Sequence, residues 1–152
     1  NMWLMLRRYK NEYPSAPFFY FEFFPNSFGY GLGFWTWKQS AFKEVHNLIL
    51  DKPDEWLEAL DACKQAGFVY GSRDNYKKDM YPNAPKELKP YLSAKNMEFS
   101  YKSFDMNKIN SSALIDEIKL AFDLASPMYT FWAKAYDNML SKGIIKPEDA
   151  MR

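Results

Sequence analysis

The most aromatic stretch of the chain covers residues 17–37, and its apolar positions predict two consecutive strands. The first strand is Phe18–Phe24, because aromatic side chains favour the pleated, half-buried surface of a sheet. Glu22 is its only charged residue, so we expect a central strand that is covered on both faces. The triplet Pro25-Asn26-Ser27 predicts the turn that follows, since proline presets φ and asparagine tolerates the left-handed region.

The second strand carries glycine at alternate positions, Gly29, Gly31 and Gly33. Such a strand presents one face without side chains, and we expect Trp35 and Trp37 to extend it. In one interpretation another element packs close to the bare backbone, which is a common use of strand glycines. In the other, a flat ligand or a peptide lies in a shallow groove with Trp35 as its wall. A nucleotide loop is excluded, because the spacing is not G-x-G-x-x-G and no helix N-terminus follows.

Apolar periodicity predicts the remaining elements. In chain order they are a strand at residues 2–9, helices starting near residues 39 and 53, a short strand at 68–70, a short helix at about 85–92, a strand at 97–104, and two C-terminal helices separated at Ser126-Pro127. Gly143 ends the last helix, and residues 144–152 form a loose end. Residues 1–143 are therefore predicted to form a single α+β domain, with helices packed over one or both faces of an antiparallel sheet of four or more strands.

Composition narrows the class of function. Twenty basic and 19 acidic residues leave a net charge of +1, which gives no electrostatic reason to expect nucleic acid or an anionic membrane as a partner. No apolar run approaches the roughly 20 residues that a membrane helix needs. Cys63 is the only cysteine, so no intrachain disulfide exists and a reducing cytoplasm is the expected compartment. With a single histidine and a single cysteine, we predict neither a metal site nor a cofactor.

Clustered positive charge occurs in one segment, residues 71–92, where lysines alternate with tyrosines. The segment is either a solvated loop followed by a short helix, or a loop that binds an anion or faces a substrate, since long loops often carry function. Together with the glycine strand, this loop supplies the predicted ligand-binding residues, which are Tyr30, Trp35, Tyr76, Lys77 and Lys78.

No catalytic residue can be assigned from the sequence. His46 borders the apolar stripe of a helix without a second ligand or a nucleophile elbow nearby, so we expect a structural histidine. Cys63 is predicted to be a small buried hydrophobe, because nothing around it would activate a thiolate. Hydrolysis by a carboxylate pair stays open. The acidic residues that could converge in space for such chemistry are Glu22, Asp74, Asp79 and Glu98.

The stretch FFYFEFFPNSFGYGLGFW, residues 18–35, resembles the signature of a bacterial family known as domain of unknown function 2461. The resemblance continues through DKPDEW, the Tyr76-Lys77 loop, Leu88-Lys89-Pro90-Tyr91 and Lys102-Ser103-Phe104, and covers roughly residues 3–136. Members carry a further N-terminal region, so the resemblance implies that this chain, which begins in an apolar run at Asn1, lacks that region. It implies no established activity.

Three hypotheses of different classes remain. We narrowly favour a domain that binds a small anionic or flat ligand, or a protein partner, through the glycine strand and the lysine loop. The second is a metal-independent enzyme whose site is completed by the missing region, which predicts convergent carboxylates with raised pKa values in a cleft. The third is a structural or interaction protein, which predicts a large exposed apolar patch and self-association.

Overall fold

The computed structural model describes residues 1–9, 16–34 and 39–146. Within these ranges, five strands form one antiparallel sheet in the order β1-β2-β3-β5-β4. The strands are β1 (Met2–Leu6), β2 (Phe18–Phe24), β3 (Ser27–Gly33), β4 (Val69–Gly71) and β5 (Glu98–Ser103). The helices are α1 (Gln39–Asp51), α2 (Pro53–Gln65), α3 (Lys89–Leu92) and α4 (Ala113–Ser141), with short 3-10 helices at Lys86–Leu88 and Met106–Asn110. The predicted α+β class is confirmed.

Strands β1, β2 and β3 are consecutive in the chain and pair antiparallel as a meander. A two-residue turn at Pro25 and Asn26 joins β2 to β3 and pairs Phe24 with Ser27. Strand β5 then pairs with the other side of β3, so β3 is the middle strand of the five. Strand β2 lies between β1 and β3, as expected of a central strand, but the expectation that both of its faces are covered was wrong. Apart from Phe18, its side chains are only half-buried, because helices cover one face alone.

The core lies between the sheet and helices α1, α2 and α4. Trp132 of α4 is fully buried, and its ring lies 5.6 Å from that of Phe99 on β5. Trp56 of α2 is also fully buried and contacts Phe99 and Phe131. Large aromatic side chains of this kind bury more apolar area than any others, so they dominate the packing of helices on the sheet.

The prediction of two C-terminal helices separated at Ser126-Pro127 was wrong, because α4 continues through Pro127 for 29 residues. A proline within a helix removes one backbone hydrogen bond and disfavours the preceding turn. Here the buried side of the helix runs on past the proline. Its buried members on both sides of Pro127 are Ala121, Ala125, Met128, Trp132, Ala135, Tyr136 and Met139. Packing of these side chains outweighs the local cost.

Strand β1 forms one edge of the sheet, and its apolar side chains are largely exposed. Met2, Trp3, Leu4 and Leu6 are each at least half exposed. Exposed apolar edge strands are typical sites of strand pairing or protein contact. Self-association, however, stays a prediction.

Among the described residues, no helix has the length and apolar character required to cross a membrane.

Candidate ligand-binding groove

The face of the sheet opposite the helices contains an open groove of about 830 Å³. The register pairs Phe18 with Gly33 and Tyr20 with Gly31, so these β2 side chains rise beside the bare face of β3. On the other side of β3, Ser100 of β5 pairs with Gly31. Because glycine has no side chain, the backbone of β3 forms a low floor between two higher walls.

The three strand glycines serve different purposes. A Cβ atom at Gly31 would lie 2.2 Å from the carbonyl oxygen of Phe99 and 2.8 Å from the Cα atom of Ser100, so this glycine permits close approach of β3 and β5. A Cβ atom at Gly29 would lie 3.1 Å from the carbonyl oxygen of Tyr101. A Cβ atom at Gly33 would meet nothing within 4 Å, because it would point into the groove. The close packing at Gly31 agrees with the first interpretation of the bare face, whereas ligand binding beside Gly33 stays a prediction.

Two carboxylates and a tyrosine line the groove from the strands on either side of the glycine floor. The hydroxyl of Tyr20 donates a short hydrogen bond to Oε1 of Glu98 across the glycine floor. Burial, the acceptor carboxylate and its charge raise the pKa of Tyr20, so the phenol stays protonated. Burial raises the pKa of Glu22 as well, and the charge of Glu98 adds to this effect while Lys102 and Arg73 oppose it. A smaller hollow of about 170 Å³ adjoins the groove and is also lined by Tyr20, Glu22 and Glu98.

Basic groups line the groove near the start of β5 and in the loop after β4. Nζ of Lys95 lies 2.8 Å from Oδ2 of Asp74, and this hydrogen bond is the main reason why the pKa of Asp74 is lowered. The backbone N–H of Arg73 donates to Oδ1 of Asn96 at 2.6 Å, which fixes the loop after β4 against the start of β5. The Arg73 side chain itself is exposed and forms no ion pair with any other described residue. Arg73 is therefore the available cation of the groove.

Comparison with known proteins identifies the family. The family model for conserved hypothetical proteins of DUF2461 matches residues 1–131. This chain belongs to the DUF2461 family. No curated protein and no solved structure matches it significantly. The resemblance seen in the aromatic and glycine strands is thereby confirmed.

None of the described residues that the sequence predicted for ligand binding lines the DUF2461 groove. Tyr30 is buried on the opposite face, where its hydroxyl donates to Glu117 of α4. Trp35 lies outside the described residues. Tyr76 does not line the groove, but its hydroxyl donates a hydrogen bond to Oε1 of Gln39, which does line the groove. Lys77 and Lys78 are exposed and do not line the groove.

The acidic residues were anticipated better than the aromatic ones. Of the four carboxylates that could converge, Glu22, Asp74 and Glu98 do line one groove, whereas Asp79 pairs with Lys89 at 2.6 Å. Sequence analysis missed Tyr20, although the alternation of β2 opposite the glycines was a usable signal, since i and i+2 positions share a face. Arg73 belongs to the basic segment 71–92, for which anion binding was one of two interpretations, but it was not among the five ligand-binding candidates.

The two remaining candidates for chemistry lie in the core of the DUF2461 chain. Cys63 is fully buried, and burial raises the pKa of its thiol to about 12. His46 is also buried, against the rings of Phe42 and Tyr81. In the described part of the chain, no three His, Cys, Asp or Glu side chains are grouped to hold a metal ion.

Proposed function

We propose that this DUF2461 chain binds a small ligand in the groove on the uncovered face of its sheet. The observation that supports this most strongly is the arrangement around Gly33: an unfilled floor beside fixed polar groups. Sites for small molecules are concave, measure about 300–1,000 Å³, and combine apolar walls with a few placed polar groups. The groove has this size, with Phe18 and Trp3 as apolar walls and the Tyr20–Glu98 pair as placed polar groups.

The groove can be blocked without disturbing the core, which provides the test. We would screen a library of small molecules by protein-observed NMR and repeat each positive result with Gly33→Leu. The matched control is Gly71→Leu, because Gly71 is also a strand glycine with space at its Cβ position but does not line the groove. We expect Gly33→Leu to abolish binding and Gly71→Leu to preserve it. Binding that survives Gly33→Leu, or a broad screen without a ligand, would refute the proposal.

A second candidate function is acid–base catalysis in the same groove. A carboxyl whose pKa is raised is better suited to donate a proton, and burial raises the pKa of Glu22 in the groove that it shares with Glu98. The test of this second function is a substrate panel for hydrolysis and isomerisation, with Glu22→Gln expected to abolish turnover and the exposed α2 variant Glu58→Gln expected to retain it. Equal turnover in the two variants would exclude Glu22 as the acid.

We place this function in the cytoplasm. A chain with a single, buried cysteine has no disulfide to gain from an oxidising compartment. Fractionation of cells that express the native gene would test the assignment, and recovery in a secreted fraction would overturn it.

A further inference from the structure

The charged groups of the groove are unevenly distributed, and this distribution specifies a class of ligand. Glu22 and Glu98 stand on the strands that flank the glycine floor. Neither forms an ion pair with another described residue, although Glu98 accepts the Tyr20 hydroxyl. Two half-buried carboxylates that repel each other are a favourable environment for a cation, because a cation relieves both their repulsion and their desolvation.

No cation among the described residues forms an ion pair with Glu22 or Glu98. Lys102 lowers the pKa of Glu22, but its Nζ lies over the rings of Phe24 and Phe104. Lys95 is engaged by Asp74 at 2.8 Å. Arg73 is close enough to lower the pKa of Glu22, yet forms no ion pair with it. Its guanidinium can therefore bind an anionic group of a ligand, because it donates two parallel hydrogen bonds in one plane.

We propose that the groove takes a dipolar ligand, with an ammonium group between Glu22 and Glu98 and a carboxylate on Arg73, which is the chemistry of a free amino acid. The apolar part of this ligand lies over the glycine floor beside Phe18. The inference rests on the proposed binding function and adds the substrate class to it. The Tyr20 hydroxyl, which keeps its proton, holds Glu98 in place and leaves that carboxylate as an acceptor for the ammonium.

The test uses matched probes that differ only in their charged ends. The twenty common amino acids are titrated into the protein by NMR, and for the tightest one the corresponding amine without the carboxylate and the acid without the ammonium are compared. For phenylalanine these would be 2-phenylethylamine and 3-phenylpropionate. We expect the amino acid to bind at least about tenfold more tightly than either probe, because each probe lacks the charge-assisted hydrogen bonds of one end.

Variants assign each end of the ligand to its partner. Arg73→Gln should weaken binding of the amino acid about tenfold and leave binding of the amine unchanged, whereas Glu98→Gln should weaken binding of both. The charge-matched control Lys77→Gln, outside the groove, should change neither. If Gly33→Leu blocks the binding of a ligand that is neutral or purely anionic, the dipolar ligand class is wrong and the proposed binding function stands. If Gly33→Leu blocks the binding of no compound, the ligand class and the binding function are both refuted.

Discussion

His46 makes the stability of this protein dependent on pH in a way that can be calculated. The side chain is 2% exposed on α1, and its Nδ1 lies 3.4 Å from the Tyr81 hydroxyl. Its Nε2 is buried and meets no hydrogen-bond partner of good geometry in the described part of the chain. Burial lowers the pKa of His46 from 6.5 to about 4, although the backbone carbonyls of Ala94 and Tyr91 offset part of this effect. A neutral imidazole is therefore built into the core.

The sign follows from which state binds the proton first. As the pH falls below 6.5, the unfolded chain protonates His46 and the folded chain does not, so folding stability is lost until the pH reaches about 4. Between pH 6.5 and pH 5 the loss covers 1.5 pH units at about 1.36 kcal/mol each, or about 2 kcal/mol. The raised pKa of Glu22 acts in the opposite direction, and the lowered pKa values of Asp74 and Asp79 matter only at more acidic pH.

The assay is urea denaturation of tag-free protein at pH 7.5 and pH 5.0, for the wild type and for His46→Gln and His46→Leu. The difference between wild type and either folded variant cancels the carboxyl contributions and should change by about 2 kcal/mol across this range. Because His46 is the only histidine, its imidazole Cε1–H signal also reports the titration directly by NMR. A midpoint near 6.5 in the folded protein, or a wild type whose pH dependence equals that of the variants, would refute the reasoning.

Three further predictions concern packing. Gly31→Ala should destabilise the protein by about 3 kcal/mol or more in denaturant titrations, because its Cβ would collide with the backbone of β5, whereas Gly33→Ala should change stability by less than about 1 kcal/mol; similar losses would contradict the close approach at Gly31. Cys63 should react with a thiol reagent only after denaturation, and rapid labelling of the native protein would show that it is accessible. Lys142→Met should lower the free energy of unfolding by about 1 kcal/mol, since it removes the ion-pair partner that lies 2.6 Å from the mostly buried Glu44. Lys119→Met, on the exposed side of α4, should leave the free energy of unfolding unchanged.

Local signals explain the elements that were predicted well. The bounds of β2 matched Phe18–Phe24, because aromatic enrichment stops at a proline that cannot continue a strand. Helix α2 begins at Pro53, and Gly67 after it adopts a φ of +79°, as expected for a glycine at a helix C-terminus. Where local and tertiary preferences disagreed, as at Pro127 in α4, the local signal failed.

The groove shows the same limit for function. Most of its residues come from β1, β2, the end of β3 and two segments around Arg73 and Asn96. The segment around Asn96 comes close to the first two strands only because β5 pairs with β3. Tyr30 illustrates the consequence. The alternation of β3 placed it opposite the glycines, but could not say that the helices would cover its face and leave the other open.

The sequence alone determined the strands, the turn, the starts of α1 and α2 and the existence of a bare face on β3, because each depends on neighbours within a few residues. The tertiary structure decided which face of the sheet is covered, that α4 runs through its proline, and which charges share the groove. These depend on the burial of Trp56, Trp132 and their neighbours, which are brought together from distant parts of the chain. Such contacts form only when the whole chain has folded, so no local pattern encodes them.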